Sequence, residues 1–296
     1  MKIKAIAFDI DGTLYPAYAL NVRLGRYAAS HGRFLLAFAG VRRDIHALSA
    51  LPFLQIQGDK LETGGLGAAL GQAAGSGLLR RGRAAALASS PLFAEEARLW
   101  SIERPQDRGG FRHFQAELLA LRLHLDVREA EFRTNLSIYA ELEEYFCRVP
   151  LFRSLMPCLD ALKSAGFRLA VLSDFPANTK ISRLGLDDRF APLLCSEDSG
   201  CLKPGQRPFR QLAAGLDLAP AEILYVGNSS RYDVAGARAA GMRAALLKPV
   251  SPFTPRFPAM DRASSSGPAS SCGPGLKADF LFSRWSELFS FACGLR

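Results

Sequence analysis

The sequence predicts an α/β protein, a parallel sheet covered by helices, with a long helical segment inserted after the first strand. Three observations predict it. A short apolar run, Ile3 to Phe8, ends at a turn signal, Asp11-Gly12, as a buried strand feeding a loop does. Beyond Pro150, short apolar runs alternate with helical stretches, the pattern of parallel strands joined by helical crossovers. Between these two regions the apolar spacing is helical.

Taken in order, Leu24, Tyr27 and Ala28, then Leu35, Phe38, Ala39 and Val41, place helix from Asn21 to about Leu51, with an arginine-studded outer face. From Gln57 the texture changes to Gly64-Gly65, Gly75, Gly77, Arg80-Arg81-Gly82-Arg83 and the alanines 84–86. A helical region with a poorly structured, low-complexity insertion near 57–110 is expected there. Phe114, Leu118, Leu121 and Leu125 mark a second helical stretch, about Phe111 to Cys147. Met156-Pro157 opens a helix that Gly166 closes. Then follow a strand from Phe167 to Leu172, a short strand from Leu193 to Ser196, a helix from Pro208 to Ala214 and a strand from Ile223 to Val226. A helix from Asp233 to Ala240 and a strand from Arg243 to Leu247 come next. Residues 249–276, rich in proline, serine and glycine, read as a flexible loop before a last strand, Asp279 to Phe282, and a terminal helix. No internal repeat is visible.

With 296 residues, 49% hydrophobic and 22% charged, the chain can bury a substantial core, which excludes disorder throughout and a small disulfide scaffold. The net charge of +9 comes mostly from arginines dispersed from Lys2 to Arg296, with no aromatics interleaved, so no nucleic-acid partner is expected. Six cysteines without a C-x-x-C pair and four histidines without metal spacing argue against zinc and suit reduced thiols. Asp9 and Asp11 interrupt the apolar start, and Phe34 to Val41 falls far short of the roughly 20 residues a membrane span requires. A cytoplasmic protein without a membrane partner is expected.

In an open parallel sheet the ligand site lies beyond the carboxyl ends of the strands. There the sequence places Asp9-Ile10-Asp11-Gly12-Thr13, Ser173-Asp174, Lys203-Pro204, and Gly227-Asn228 with Asp233 five residues on. Converging carboxylates, a hydroxyl, an ammonium and an amide can bind a divalent cation, hold a phosphate and present a nucleophile. Singly, these residues have bland readings: D-x-D-G as a polar turn, Ser173 as a turn cap, Lys203 as a residue preceding a helix. Their joint order favours chemistry. Asp174 and Asn178 either face a substrate or cap the next helix, and Cys195 and Cys201 read as small buried side chains with redox sensitivity as the alternative.

Phe8-Asp9-Ile10-Asp11-Gly12-Thr13-Leu14 resembles the first motif of the haloacid dehalogenase superfamily of aspartate-nucleophile hydrolases. Val171-Leu172-Ser173, Lys203-Pro204 and Val226-Gly227-Asn228-Ser229-Ser230-Arg231-Tyr232-Asp233 follow in the family's order. The resemblance implies a Rossmann-like core, residues 1–15 and 150–296, with an inserted α-helical cap, residues 16–149. It implies that Asp9 attacks phosphorus to give an aspartyl-phosphate while Asp11 protonates the leaving group and later activates water. Ser173 and Lys203 would hold phosphoryl oxygens, with Asp174 at the substrate, and Asp9, Asp11, Asn228 and Asp233 would serve a magnesium ion. Asp11 points to phosphatase over dehalogenase, because the dehalogenases of the superfamily lack an acid there. Asn228 departs from the acidic residue usual at that position and leaves Asp233 as the carboxylate of the last motif. The implied activity is a magnesium-dependent phosphatase of a small phosphorylated metabolite. A phosphomutase and a catalytically weak member that binds a ligand or protein are the alternatives. Arginines of the cap (Arg23, Arg26, Arg33, Arg42, Arg43) read as a solvated helix face, or as contacts to further anionic groups of the substrate.

Overall fold

The computed structural model of the chain describes residues 2–51, 56–57, 60–61, 63–103, 105–147, 149–248 and 277–296. Strand β1 (Ala5–Phe8) is wholly buried and leads through a tight turn into helix α1 (Ala17–Ser49). A two-residue antiparallel pair, β2 (Ile56–Gln57) and β3 (Lys60–Leu61), precedes α2 (Thr63–Gly75), α3 (Arg81–Ala88) and α4 (Pro91–Glu103). The insertion expected to be poorly structured is therefore largely helical. Its composition misled because Gly67, Gly71 and Gly75 meet open space, whereas Leu66, Ala69, Leu70 and Ala73 form a buried stripe at helical spacing. Glycine costs about 1 kcal/mol per position in a helix, and burial of that stripe against α3 and α4 offsets it.

The helical stretch expected over 111–147 is broken rather than continuous. Helix α5 (Arg108–Leu123) starts where the Asp107 carboxylate accepts from the Gly110 N–H at 2.8 Å and stops at His124, whose φ of 53° is left-handed. Helix α6 (Val127–Thr134) starts at Asp126, which accepts from the Arg128 N–H at 2.8 Å. A π-helical turn, Asn135–Ala140, follows before α7 (Glu141–Glu144). Phe38, Val41, Ile45, Phe93, Phe111, Phe114 and Leu118 fill a hydrophobic core of this helical segment, which extends to Leu202.

The remaining elements are α8 (Leu155–Ser164), β4 (Arg168–Ser173), α9 (Ala177–Arg183), β5 (Leu193–Cys195), α10 (Gln206–Gly215) and β6 (Ile223–Gly227). A π-helical turn, Ser230–Val234, enters α11 (Ala235–Ala239), and β7 (Arg243–Leu247), β8 (Phe280–Phe282) and α12 (Trp285–Gly294) complete the fold. Six strands form one all-parallel sheet, in the order β5-β4-β1-β6-β7-β8, and the α/β expectation holds. Strand alternation divides the sheet residues between two faces. Ile6, Phe8, Leu169, Val171, Leu224 and Val226 pack against Leu155, Leu159, Trp285 and Leu288 of α8 and α12. Ala5, Ala7, Ala170, Leu172, Ile223 and Tyr225 pack against Phe209, Leu212 and Ala237 of α10 and α11. Among the described residues both faces are covered by helices, which leaves the ends of β1 as the approach to it.

The loop expected over 249–276 and Cys272 lie outside the described residues. The five cysteines within them are free thiols, and no helix among the described residues is long and apolar enough to cross a membrane.

One polar cluster inside the helical segment makes a pH-dependent contribution to stability. Glu96 on α4 is fully buried and its Oε1 accepts from Arg122 Nε at 2.8 Å. Its Oε2 is buried without a hydrogen-bond partner among the described residues. Burial pushes this carboxyl from 4.5 up to about 7 against the pull of Arg122. The folded state therefore retains a proton that the unfolded chain has lost. Glu96's contribution is complete below the unfolded value and disappears as pH rises through the folded one. Glu96→Gln is expected to gain on the parent by roughly 1–3 kcal/mol as the buffer is raised from about pH 5 to about pH 8, read by urea denaturation at each pH. A constant difference across that range would contradict this account.

Candidate active site

Register places the site. Phe8 pairs with Val171 on one side and Val226 on the other, so the chain leaving β1 at Asp9 emerges between Ser173, the last residue of β4, and Gly227, the last of β6. The turn that follows is closed by Thr13 and Leu14 N–H groups donating to the Ile10 carbonyl at 3.1 and 3.0 Å. Gly12 within it has a φ of 80°, and a Cβ there would run into the Asn228 side-chain amide. Glycine is thus required both by conformation and by the close approach of the β6 loop.

Lys203 is the centre of the buried chemistry. Its Nζ donates to Asp9 Oδ1 at 2.8 Å, to Asp233 Oδ1 at 2.7 Å and to the Tyr225 hydroxyl at 3.2 Å. That hydroxyl in turn donates to the Leu172 carbonyl at 2.9 Å. The second Asp9 oxygen accepts from Thr13 Oγ1 at 2.9 Å, and the second Asp233 oxygen accepts from the Ser229 N–H at 2.9 Å. Lys203 is 2% exposed, Asp9 6% and Asp233 2%. Burial alone would push the ammonium down, but the carboxylates of Asp233 and Asp9 hold it well above its usual value. Burial raises Asp9 to about 7 despite the lysine, and Asp233 and Asp11 push the same way.

Asp11 sits at the solvent side of the turn. Its Oδ1 accepts from the Tyr15 hydroxyl at 2.5 Å, its Oδ2 from Lys180 Nζ at 2.6 Å, and its main-chain carbonyl from Asn228 Nδ2 at 3.1 Å. Lys180 itself is buried between the rings of Phe146 and Phe175, at 4.6 and 4.8 Å from their centroids. Burial and the neighbouring Asp11 carboxylate raise the Tyr15 hydroxyl far above its normal range.

Ser173 is buried at the end of β4 and its Oγ accepts from the Phe175 N–H at 3.3 Å. Asp174 accepts from the Lys203 N–H at 3.1 Å and lies 3.9 Å from His46 Nε2, so its carboxylate secures the backbone of the central lysine. Burial opposes this charge, while Lys203, His46 and Arg42 keep Asp174 below the usual carboxylate range. Asn178 lies within α9. Arg42, read from sequence as part of a solvated face, is buried. Its Nη1 donates to Glu197 Oε1 at 2.7 Å, its Nη2 donates to the Asp174 carbonyl, and its guanidinium lies 4.1 Å from the centroid of Phe175. A helical period assigns faces relative to one helix and is blind to a second element approaching the polar one. Cys195 and Cys201 are buried, and burial pushes both thiols up, as inert packing residues require.

Four residues were expected to hold a magnesium ion. Asp9, Asp11, Asn228 and Asp233 do line one end of the sheet, and every donor among them is a hard oxygen suited to that ion. Among the described residues no three His, Cys, Asp or Glu side chains gather as a metal cluster, since Lys203 stands between Asp9 and Asp233. Of the four, Asp233 is engaged by Lys203 and the Ser229 N–H, and the Asn228 amide N–H is engaged by the Asp11 carbonyl. Tyr15, Lys180, Tyr225 and His46 were missed from sequence. Tyr225 looked like one more apolar strand residue, and Lys180 on α9 carried no motif, since its proximity to Asp11 arises only from the crossover after β4.

The family model of haloacid dehalogenase-like hydrolases matches residues 3–241. A glyceraldehyde 3-phosphate phosphatase of Methanopyrus kandleri is 27% identical over 243 residues, 81% of this chain and 82% of that protein. A phosphoserine phosphatase of Thermus thermophilus is 34% identical over 111 residues, 35% of this chain and 45% of its relative. Among solved structures, that of an L-2-haloacid dehalogenase superposes with a TM-score of 0.52 at 17% identity, covering 99% of this chain and 100% of the other. That likeness shows the fold.

The pairing of Lys203 gives a direct stability test. Lys203→Met would leave two carboxylates buried and facing each other, and is expected to cost about 3 kcal/mol. Adding Asp233→Asn to that variant should recover part of the loss in chemical denaturation. Independent, additive effects of the two substitutions would show that the three groups are not coupled.

Proposed function

The chain belongs to the haloacid dehalogenase-like hydrolases, and from that premise we propose that it is a magnesium-dependent phosphatase acting on a small phosphorylated metabolite, with Asp9 as nucleophile. The observation that carries this reading is Asp11, a second carboxylate in the turn after Asp9, held beside the cavity by Tyr15 and Lys180. Two displacements at phosphorus need a nucleophile and a separate proton carrier, and these two side chains supply them.

Lys203 and Thr13 each hold one Asp9 oxygen, which fixes the carboxylate for in-line attack. Asp9 forms a bond to phosphorus as the ester oxygen leaves, and that oxygen takes the proton carried by Asp11. Asp11 then accepts a proton from the water that attacks the aspartyl-phosphate, which frees Asp9 and releases phosphate. In this reading Ser173 and Lys203 meet the phosphoryl oxygens. A bound magnesium ion, held by Asp9, Asp11 and Asn228 with Asp233 behind them, would offset the repulsion between the carboxylates and the phosphate. The helices of residues 17–147 act as the cap that covers the phosphoryl group and excludes water. The phosphatases among the relatives are consistent with this reading, and the free thiols suit the cytoplasm.

The test is phosphate release from a panel of phosphorylated metabolites, with and without magnesium. Asp9→Asn is expected to lower turnover by at least about 1,000-fold with the fold intact. Asn228→Asp adds a charge to the donor set and should lower the magnesium concentration needed for half-maximal rate. Turnover that persists in Asp9→Asn would sink the mechanism.

A further inference from the structure

A cavity of about 310 Å³ opens beside Asp11 and Gly12, between the start of α1, the π-helical turn 135–140 and the loop entering α9. Its walls are apolar, formed in the main by Leu20, Leu24, Ile138, Phe146, Phe175 and Pro176. The polar tips that reach it are already committed. The Tyr15 hydroxyl and Lys180 Nζ both donate to Asp11, and the Tyr139 hydroxyl donates to Glu197 Oε1 at 2.9 Å. Asn21 stands at the exposed rim. Away from Asp11, Lys180 and the rim, what the lining presents to an occupant is therefore mostly ring faces and aliphatic carbon.

A polyhydroxylated leaving group placed here would give up its hydrogen bonds to water and find few in return, at a cost of roughly 5- to 150-fold in affinity for each buried hydroxyl left without a partner. An apolar ring would lose nothing and would remove the cavity walls from water. Resting on the phosphatase reading above, we propose that this cavity holds the leaving group of the substrate and that the leaving group is an apolar, ring-sized alcohol. The phosphate sits at Asp9 while the ring lies against Phe146 and Phe175, on the far side of Asp11. Position decides the assignment, because the cavity adjoins the residue that hands a proton to the departing oxygen.

Benzyl phosphate and glycerol 1-phosphate test this, since both release a primary alcohol and differ chiefly in the polarity of the group attached. The expected result is a kcat/KM for benzyl phosphate at least about ten-fold above that for glycerol 1-phosphate, with the ratio falling in Leu24→Asn. Hydrolysis of both esters at equal efficiency, or a ratio that Leu24→Asn does not move, would overturn the cavity assignment and leave the phosphatase standing. Calorimetric binding of benzylphosphonate against methylphosphonate provides a readout independent of turnover. Tighter benzylphosphonate binding without hydrolysis of any ester would overturn the phosphatase reading alone. Equal binding of the two phosphonates, with no hydrolysis, would overturn both.

Discussion

The rest of the site depends on one buried ammonium. Lys203 stands between Asp9 and Asp233, each within 2.8 Å, in a region from which water is excluded. Two carboxylates could not be ionised together at this depth without it, because the interaction of like charges grows as the effective dielectric falls. Around that lysine the fold builds a shell of constraint. Asp174 holds its main chain, Tyr225 its ammonium, and Ser229 the far oxygen of Asp233. Gly227 has no Cβ because one would collide with the Asp233 side chain. The nucleophile candidate is thus positioned from strands β1 and β6 and from the loop before α10 at once.

The helical segment is tied to the same centre by charge. Arg42 on α1 reaches Glu197 and the Asp174 carbonyl, and His46, one turn further on, lies against the Lys203 carbonyl and stacks on Tyr232 at 4.1 Å. Glu197 is fully buried and also accepts from the Tyr139 hydroxyl. Such pairs are costly to bury and weak as a source of net stability, but they are directional. They fix how the helices sit over the carboxyl ends of the strands, and so fix the walls of the apolar cavity beside Asp11. Strand alternation buries both sheet faces and leaves that end as the place where polar groups converge.

Much of this was legible in the chain. The strands read from sequence match those of the sheet to within two residues at nearly every end, because short apolar runs bounded by glycine and polar residues have few other uses. Asp9, Lys203 and Asp233 could be named as a set because each follows, or lies close behind, an apolar run that ends at the same edge. The insertion near 57–110 was misjudged for a reason that is also local. Glycine content lowers helix propensity, whereas the buried stripe of α2 acts through packing, which composition does not register.

By itself the sequence determined the α/β class, the strand order along the chain and the residue types gathered at the strand ends, since periodicity and turn chemistry are local properties. Only the tertiary structure decided that Lys203 would separate two carboxylates, that Lys180 and Tyr15 would share Asp11, that Arg42 would be buried, and that an apolar cavity would open beside Asp11. Each of these is a contact between segments distant along the chain, among them 194 residues for Asp9 and Lys203 and 169 for Asp11 and Lys180. Their strength depends on how much water the fold excludes, a property that no single segment possesses before the chain has closed around it.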